Sequence, residues 1–134
     1  MSLAVARTHL KDQLAGISGM TAYAHPPNSV EKLPCAIVDW DPRAAEYEHP
    51  GNLTKWHFIV LLLLSHWDAT AAYGEIDDYI DKTGTKSIKA NIEADWLSSD
   101  YAVVRGCRNV GAIQYRRAEV MYGAEFEIEV GDTT

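Results

Sequence analysis

The chain has 134 residues, 47% of them hydrophobic and 23% charged, the size and balance of one globular domain, which excludes a disordered tail, a collagen-like chain and a coiled coil. Twelve Lys and Arg stand against 19 Asp and Glu, a net charge of −7. That balance disfavours a nucleic-acid or anionic-membrane ligand, because both are held mainly by Lys and Arg.

In chain order, Leu3, Ala6, Leu10, Leu14 and Ile17 recur at spacings of three and four and predict an N-terminal helix, with Ser2 as its N-cap and Gly16 and Gly19 at its end. Residues 21–24 read as a short strand, and Pro26 and Pro27 exclude helix over residues 25–29. Residues 35–40 form a short apolar run expected to be a buried strand. Residues 41–52 carry Pro42, Pro50 and Gly51 without periodicity and read as a long loop. Residues 53–65 are the strongest strand, alternating at first (Lys55 and His57 against Trp56 and Phe58) and then apolar on both faces. The apolar run 58–64 has seven residues, well short of the ~20 that a membrane-spanning helix requires, and no basic start with an apolar stretch marks a signal peptide.

Asp68 is the expected cap of a second helix, with Ala72, Tyr73, Ile76, Tyr79 and Ile80 on its apolar side. A short third helix spans about 87–96, with Ile88, Ile92 and Trp96 on one face. Residues 101–115 are extended, and Gly106 and Gly111 mark bulges. The closing stretch alternates without error. Val120, Tyr122, Ala124, Phe126, Ile128 and Val130 face one way; Glu119, Met121, Gly123, Glu125, Glu127 and Glu129 face the other. It is expected to be a half-buried antiparallel strand, hairpinned to the one before it. The expected fold is α+β, one domain over residues 1–134: a mixed or antiparallel sheet packed by the N-terminal helix and two central helices.

Chemistry-bearing patterns are sparse. Five histidines show no HxxxH spacing, and each reads as a surface or boundary residue. Asp39 and Asp41 read as a strand end entering a turn, and Asp77 and Asp78 as the solvated side of the second helix. Cys35 and Cys107 lie outside any CxxC spacing and read as buried reduced thiols. No GxSxG, P-loop or GxGxxG occurs, so no catalytic residue, cofactor or metal is expected and the protein reads as a non-enzyme. Arg105, Arg108, Arg116 and Arg117 are the cationic cluster. They pair across strands with the Glu ladder of their own chain, or they meet the ladder of a neighbouring copy through Glu125, Glu127 and Glu129. Four Trp and seven Tyr exceed what one small core requires and suit protein contacts. Within the 41–52 loop, Arg43 and Tyr47 are the candidate interface anchors.

The layout resembles the tail terminator (tail completion) proteins of long-tailed bacteriophages, the siphoviruses. The matching features are the amphipathic helix ending at Gly16 and Gly19, then Tyr23-Ala24-His25-Pro26-Pro27-Asn28-Ser29 and Leu33-Pro34-Cys35-Ala36-Ile37-Val38. Ser87-Ile88-Lys89-Ala90-Asn91-Ile92-Glu93 and Met121-Tyr122-Gly123-Ala124-Glu125-Phe126-Glu127-Ile128-Glu129-Val130 complete the pattern. The resemblance implies a virion protein assembled in the host cytoplasm. It implies a homohexameric ring that caps the head-proximal end of the tail tube, stops tube polymerisation and offers a joining surface to the head-side connector. DNA would pass through the lumen without sequence-specific binding, and carboxylates lining it would repel phosphate within about 8–10 Å. Two other classes stay open: another neck protein, such as a head-closure protein or connector adaptor, and a small cytosolic α+β enzyme or ligand-binding domain.

Overall fold

The Ser2 hydroxyl accepts the Val5 N–H at 3.2 Å and so starts α1 (Leu3–Ala15). Ala6, Leu10 and Leu14 are buried on one helical face, followed by Ile17 beyond the helix end. The computed structural model describes residues 2–30, 32–48, 53–65, 69–94, 96, 100–115 and 120–132. After α1 come β1 (Thr21–Tyr23), β2 (Cys35–Tyr47), β3 (Thr54–Ser65), α2 (Ala69–Ile80), α3 (Ile88–Glu93), β4 (Tyr101–Gln114) and β5 (Val120–Asp132). Among the described residues, no helix is long and apolar enough to cross a membrane.

The strands form one five-stranded mixed sheet in the order β1-β2-β3-β5-β4. β1 pairs parallel with β2, and the other three pairings are antiparallel. All three helices pack on one face. There Leu10, Leu14, Ile76, Tyr79, Ile88 and Ile92 share a core with the inward residues of β2 to β5, from Val38 and Phe58 to Phe126 and Val130. The second face carries a smaller apolar cluster at one end: Cys35, Ile37, Leu63, Tyr115 and Met121 under Val30 and Leu33. Its other end is charged.

Two sequence expectations change. The 41–52 segment is mostly strand: β2 runs on to Tyr47 and pairs Glu46 with Lys55. Residues 41–44 form a bulge between the Trp40–Phe58 and Ala45–Trp56 pairs. Pro42 sits in that bulge, where its missing N–H costs no ladder hydrogen bond. The proline and the lost alternation hid the continuation; residues 49–52 lie outside the described ones. In α2, Ile76 and Tyr79 are buried, but Tyr73 and Ile80 are exposed, so its core stripe is narrower than expected. Asp68, the expected cap, lies outside the described residues.

Gly123 is required by close approach. A Cβ built there would lie 1.8 Å from the Leu62 carbonyl oxygen, which is backbone and cannot swing away. Gly123→Ala should therefore destabilise the fold by about 3 kcal/mol, at the upper end of overpacking costs, as a lower midpoint in urea unfolding. A change below about 0.5 kcal/mol, the level of neutral surface substitutions, would contradict this register of β3 and β5.

Candidate functional site: the charged sheet face and the strand edges

β5 lies inside the sheet, so its Glu side is flanked by β3 and β4. Glu125, Glu127 and Glu129 face Leu61, Ile59 and His57 across the β3 ladder. A half-buried carboxylate is costly unless it is paired and hydrogen-bonded. β4 supplies the partners, and its two bulges make that possible.

Strand residues alternate faces, so one extra residue reverses every later side chain. Val103 pairs with Glu129, and the first bulge, between Val104 and Gly106, shifts the phase so that Gly106 meets Glu127 and Arg108 meets Glu125. A second shift between Arg108 and Gly111, where Asn109 takes φ 54°, restores the phase. Ile113 therefore rejoins the apolar cluster beside Met121.

The charges then pair within one chain. Arg105 Nη2 lies 3.1 Å from Glu129 Oε2. Arg108 donates through Nε to Glu125 Oε2 at 3.3 Å and through Nη1 to Glu127. Asn109 adds a 2.9 Å bond to Glu125. Glu129 is 7% exposed and also accepts the Tyr101 hydroxyl at 2.9 Å. The Tyr101 ring covers Gly131, where a Cβ would stand 2.1 Å from Cε1. Burial raises the Glu129 carboxyl, but the Tyr101 and Arg105 hydrogen bonds and the charges of Arg105 and Lys55 outweigh it, so it lies below its ordinary range. Burial, then Glu129, pushes the Tyr101 phenol up, so it keeps the proton it donates.

Of the two readings of the Arg cluster, Arg105 and Arg108 follow the pairing within one chain. Arg116 and Arg117 lie outside the described residues. Arg43, expected as an interface anchor, binds Asp41 through Nε at 3.1 Å and through its backbone N–H at 2.9 Å while its side chain stays 55% exposed. Asp41 is buried in the bulge; the Arg43 side-chain bond lowers its pKa and outweighs burial, with help from the Arg43 backbone bond and charge and from His57. Tyr47 is 74% exposed near the hairpin tip, so it does remain available for contact. Glu46 and Glu48 flank it, Glu48 with Lys55 at 2.8 Å.

His57, expected at the surface or boundary, is 4% exposed. Its Nε2 stands 2.9 Å from Glu46 Oε1 without hydrogen-bond alignment. Tyr101 and His57 were missed by sequence reasoning. A Tyr placed across from a strand Gly is the signal that marks Tyr101, since aromatic rings cover strand glycines. His57 gave none, because the pairing of β2 beyond its bulge was hidden. Cys35 and Cys107 are free thiols, and burial pushes Cys35 up to about 12. Among the described residues, no three His, Cys, Asp or Glu side chains gather as a metal would require.

No protein-family model matches the chain, and no curated protein matches it in sequence.

The Glu129 cluster carries two expected outcomes. Tyr101→Phe should cost about 1 kcal/mol, the net worth of one hydrogen bond. Gly131→Ala displaces the same ring, so the double variant should lose less than the sum of the two single losses; strict additivity in thermal unfolding would contradict the shared contact. Glu129 is depressed in the fold, so its stabilisation is present above the ordinary carboxylate value of 4.5 and is lost as pH falls through its folded value. Arg105→Ala should cost about 0.5–1 kcal/mol at pH 7, since Arg105 is largely exposed. That difference should shrink as the pH drops below 4.5; a constant difference across the acid range would count against the pair.

Proposed function

We propose that the protein is a structural component of a long-tailed phage virion, a tail terminator that forms a ring on the head-proximal end of the tail tube. In this reading the ring stops tube polymerisation and offers its other surface to the head-side connector, with DNA passing through the lumen. The observation that carries it is the build of the sheet. Helices cover one face, the charges of the other face pair within the chain, and strands with unlike edges stand at opposite sides. Among the described residues the Arg105 and Arg108 charges of that face are already paired within the chain, and head-to-tail contact between identical chains closes into a ring when the rotation allows. The sequence resemblance along nearly the whole chain supports the same reading. Tyr47, exposed near the β2–β3 hairpin tip, is the aromatic anchor for the tube or an adjacent copy.

Light scattering and negative-stain imaging of the purified chain test this, together with its addition to polymerising tail-tube protein from the same phage. The expected result is a ring with an open lumen, about six times the 14.9 kDa chain mass, and tubes that stop growing once it is added. A monomer at every concentration, with tube growth unaffected, would overturn the proposal.

A further inference from the structure

β1 and β2 run parallel, with Thr21 beside Cys35 and Tyr23 beside Ile37. A parallel pair cannot be joined by a tight turn, so the chain must cross one face of the sheet to return. The helices occupy one face, and the crossover, described at residues 24–30 and 32–34, lies on the other. Its Val30 and Leu33 side chains, with Tyr23, pack over Cys35, Ile37, Leu63 and Met121. Those four covered side chains are at most 2% exposed, yet none of the described crossover residues is fully buried, and His25, Asn28, Ser29 and Lys32 are exposed. The ends of the crossover are pinned by the β1–β2 ladder and by the Thr21 N–H, which donates to the Pro34 carbonyl at 3.2 Å. Between them, among the described residues, no backbone–backbone hydrogen bond holds 25–33. Side chains of other elements hold it instead: the Tyr115 hydroxyl donates to the Pro27 carbonyl, and Arg7 Nη1 donates to His25 Nδ1 at 3.0 Å.

We infer that this crossover is a lid, hinged at its two pinned ends, that lifts while the sheet stays folded and uncovers the apolar patch of Cys35, Ile37, Leu63 and Met121. Segments open locally at low cost where they bury few apolar side chains. The crossover meets that condition, while the strands beneath it are paired and bury the patch itself. Its ends stand in neighbouring strands, so lifting it breaks no strand pairing. What opposes opening is the contact of Val30 and Leu33 with the patch and the two side-chain hydrogen bonds at His25 and Pro27. Compact loops of this length, with adjacent ends and their own side chains packed beneath them, recur as functional elements. The closed lid keeps from water an apolar surface of the kind that drives association when exposed.

The test is the labelling of Cys35 by an aromatic disulfide in a Cys107→Ala background, at urea concentrations below the unfolding transition. Cys35 is 0% exposed, so it reacts only from an opened state. Opening of the lid predicts a rate nearly independent of urea, because little surface is exposed in the step. Tyr101→Phe, at the opposite end of the sheet, lowers global stability and should leave that rate unchanged within about two-fold. Val30→Ala should raise it about five-fold, the effect of losing a contact worth one strong hydrogen bond. Where Val30→Ala does not fold, Tyr115→Phe, which removes the hydroxyl that Pro27 accepts, replaces it with the same expectation. A rate that climbs with urea as steeply as global unfolding, and rises about five-fold in Tyr101→Phe, would overturn the lid. So would a rate that the lid variant leaves unchanged, and a thiol that reacts as fast as one in an unfolded chain would overturn the closed state.

Discussion

Three carboxylates at alternate positions of an interior strand are the constraint that shapes the rest of the sheet. β5 is enclosed by β3 and β4, and the Glu125, Glu127 and Glu129 side chains are 27%, 30% and 9% exposed, so Glu129 above all is withdrawn from water. Each must be neutralised or hydrogen-bonded where it stands. The first β4 bulge turns Arg108 onto their face, and Arg105, inside that bulge, reaches Glu129. Gly131 leaves room for the Tyr101 ring, whose hydroxyl completes the shell of Glu129. The second bulge returns Ile113 to the apolar end of the same face.

This closure of charge within one chain has a consequence for assembly. A Glu ladder already satisfied by Arg105, Arg108, Asn109 and Tyr101 has little to gain from the cations of another copy. Breaking such pairs to remake them across an interface yields no net Coulomb energy, and half-buried pairs carry their own desolvation cost. Under the proposed ring, contacts between copies would fall to groups that the fold leaves unused, such as the exposed Tyr47.

Much of the architecture was legible in the sequence because the periodicities were clean. The alternation of β5, the three-and-four spacing of α1 with its Ser2 cap, and Gly106 and Gly111 as bulge markers in β4 all appear where local rules put them. The far half of β2 was not legible, because Asp41, Pro42, Arg43 and Ala44 interrupt its alternation and a bulge is recognised only by its partner strand. That omission hid Arg43's binding to Asp41 and the burial of His57. Arg105 and Arg108 were recognised as partners for the Glu ladder, but sequence did not decide between their own chain and a neighbour. The decision lies in the phase of β4 against β5, which is a property of pairing and not of either strand alone.

The titration of the Glu129 side-chain carboxyl, followed by NMR in a chain dilute enough to be monomeric and again at a concentration where the proposed ring would form, tests the self-contained charge ladder most directly. Pairing within the chain predicts a value below the ordinary carboxylate range in the dilute monomer, from the Tyr101 and Arg105 contacts already present there, and no further fall on assembly. An ordinary value in the monomer that drops only when copies associate would contradict it, and would assign the partners of Glu129 to a neighbouring copy.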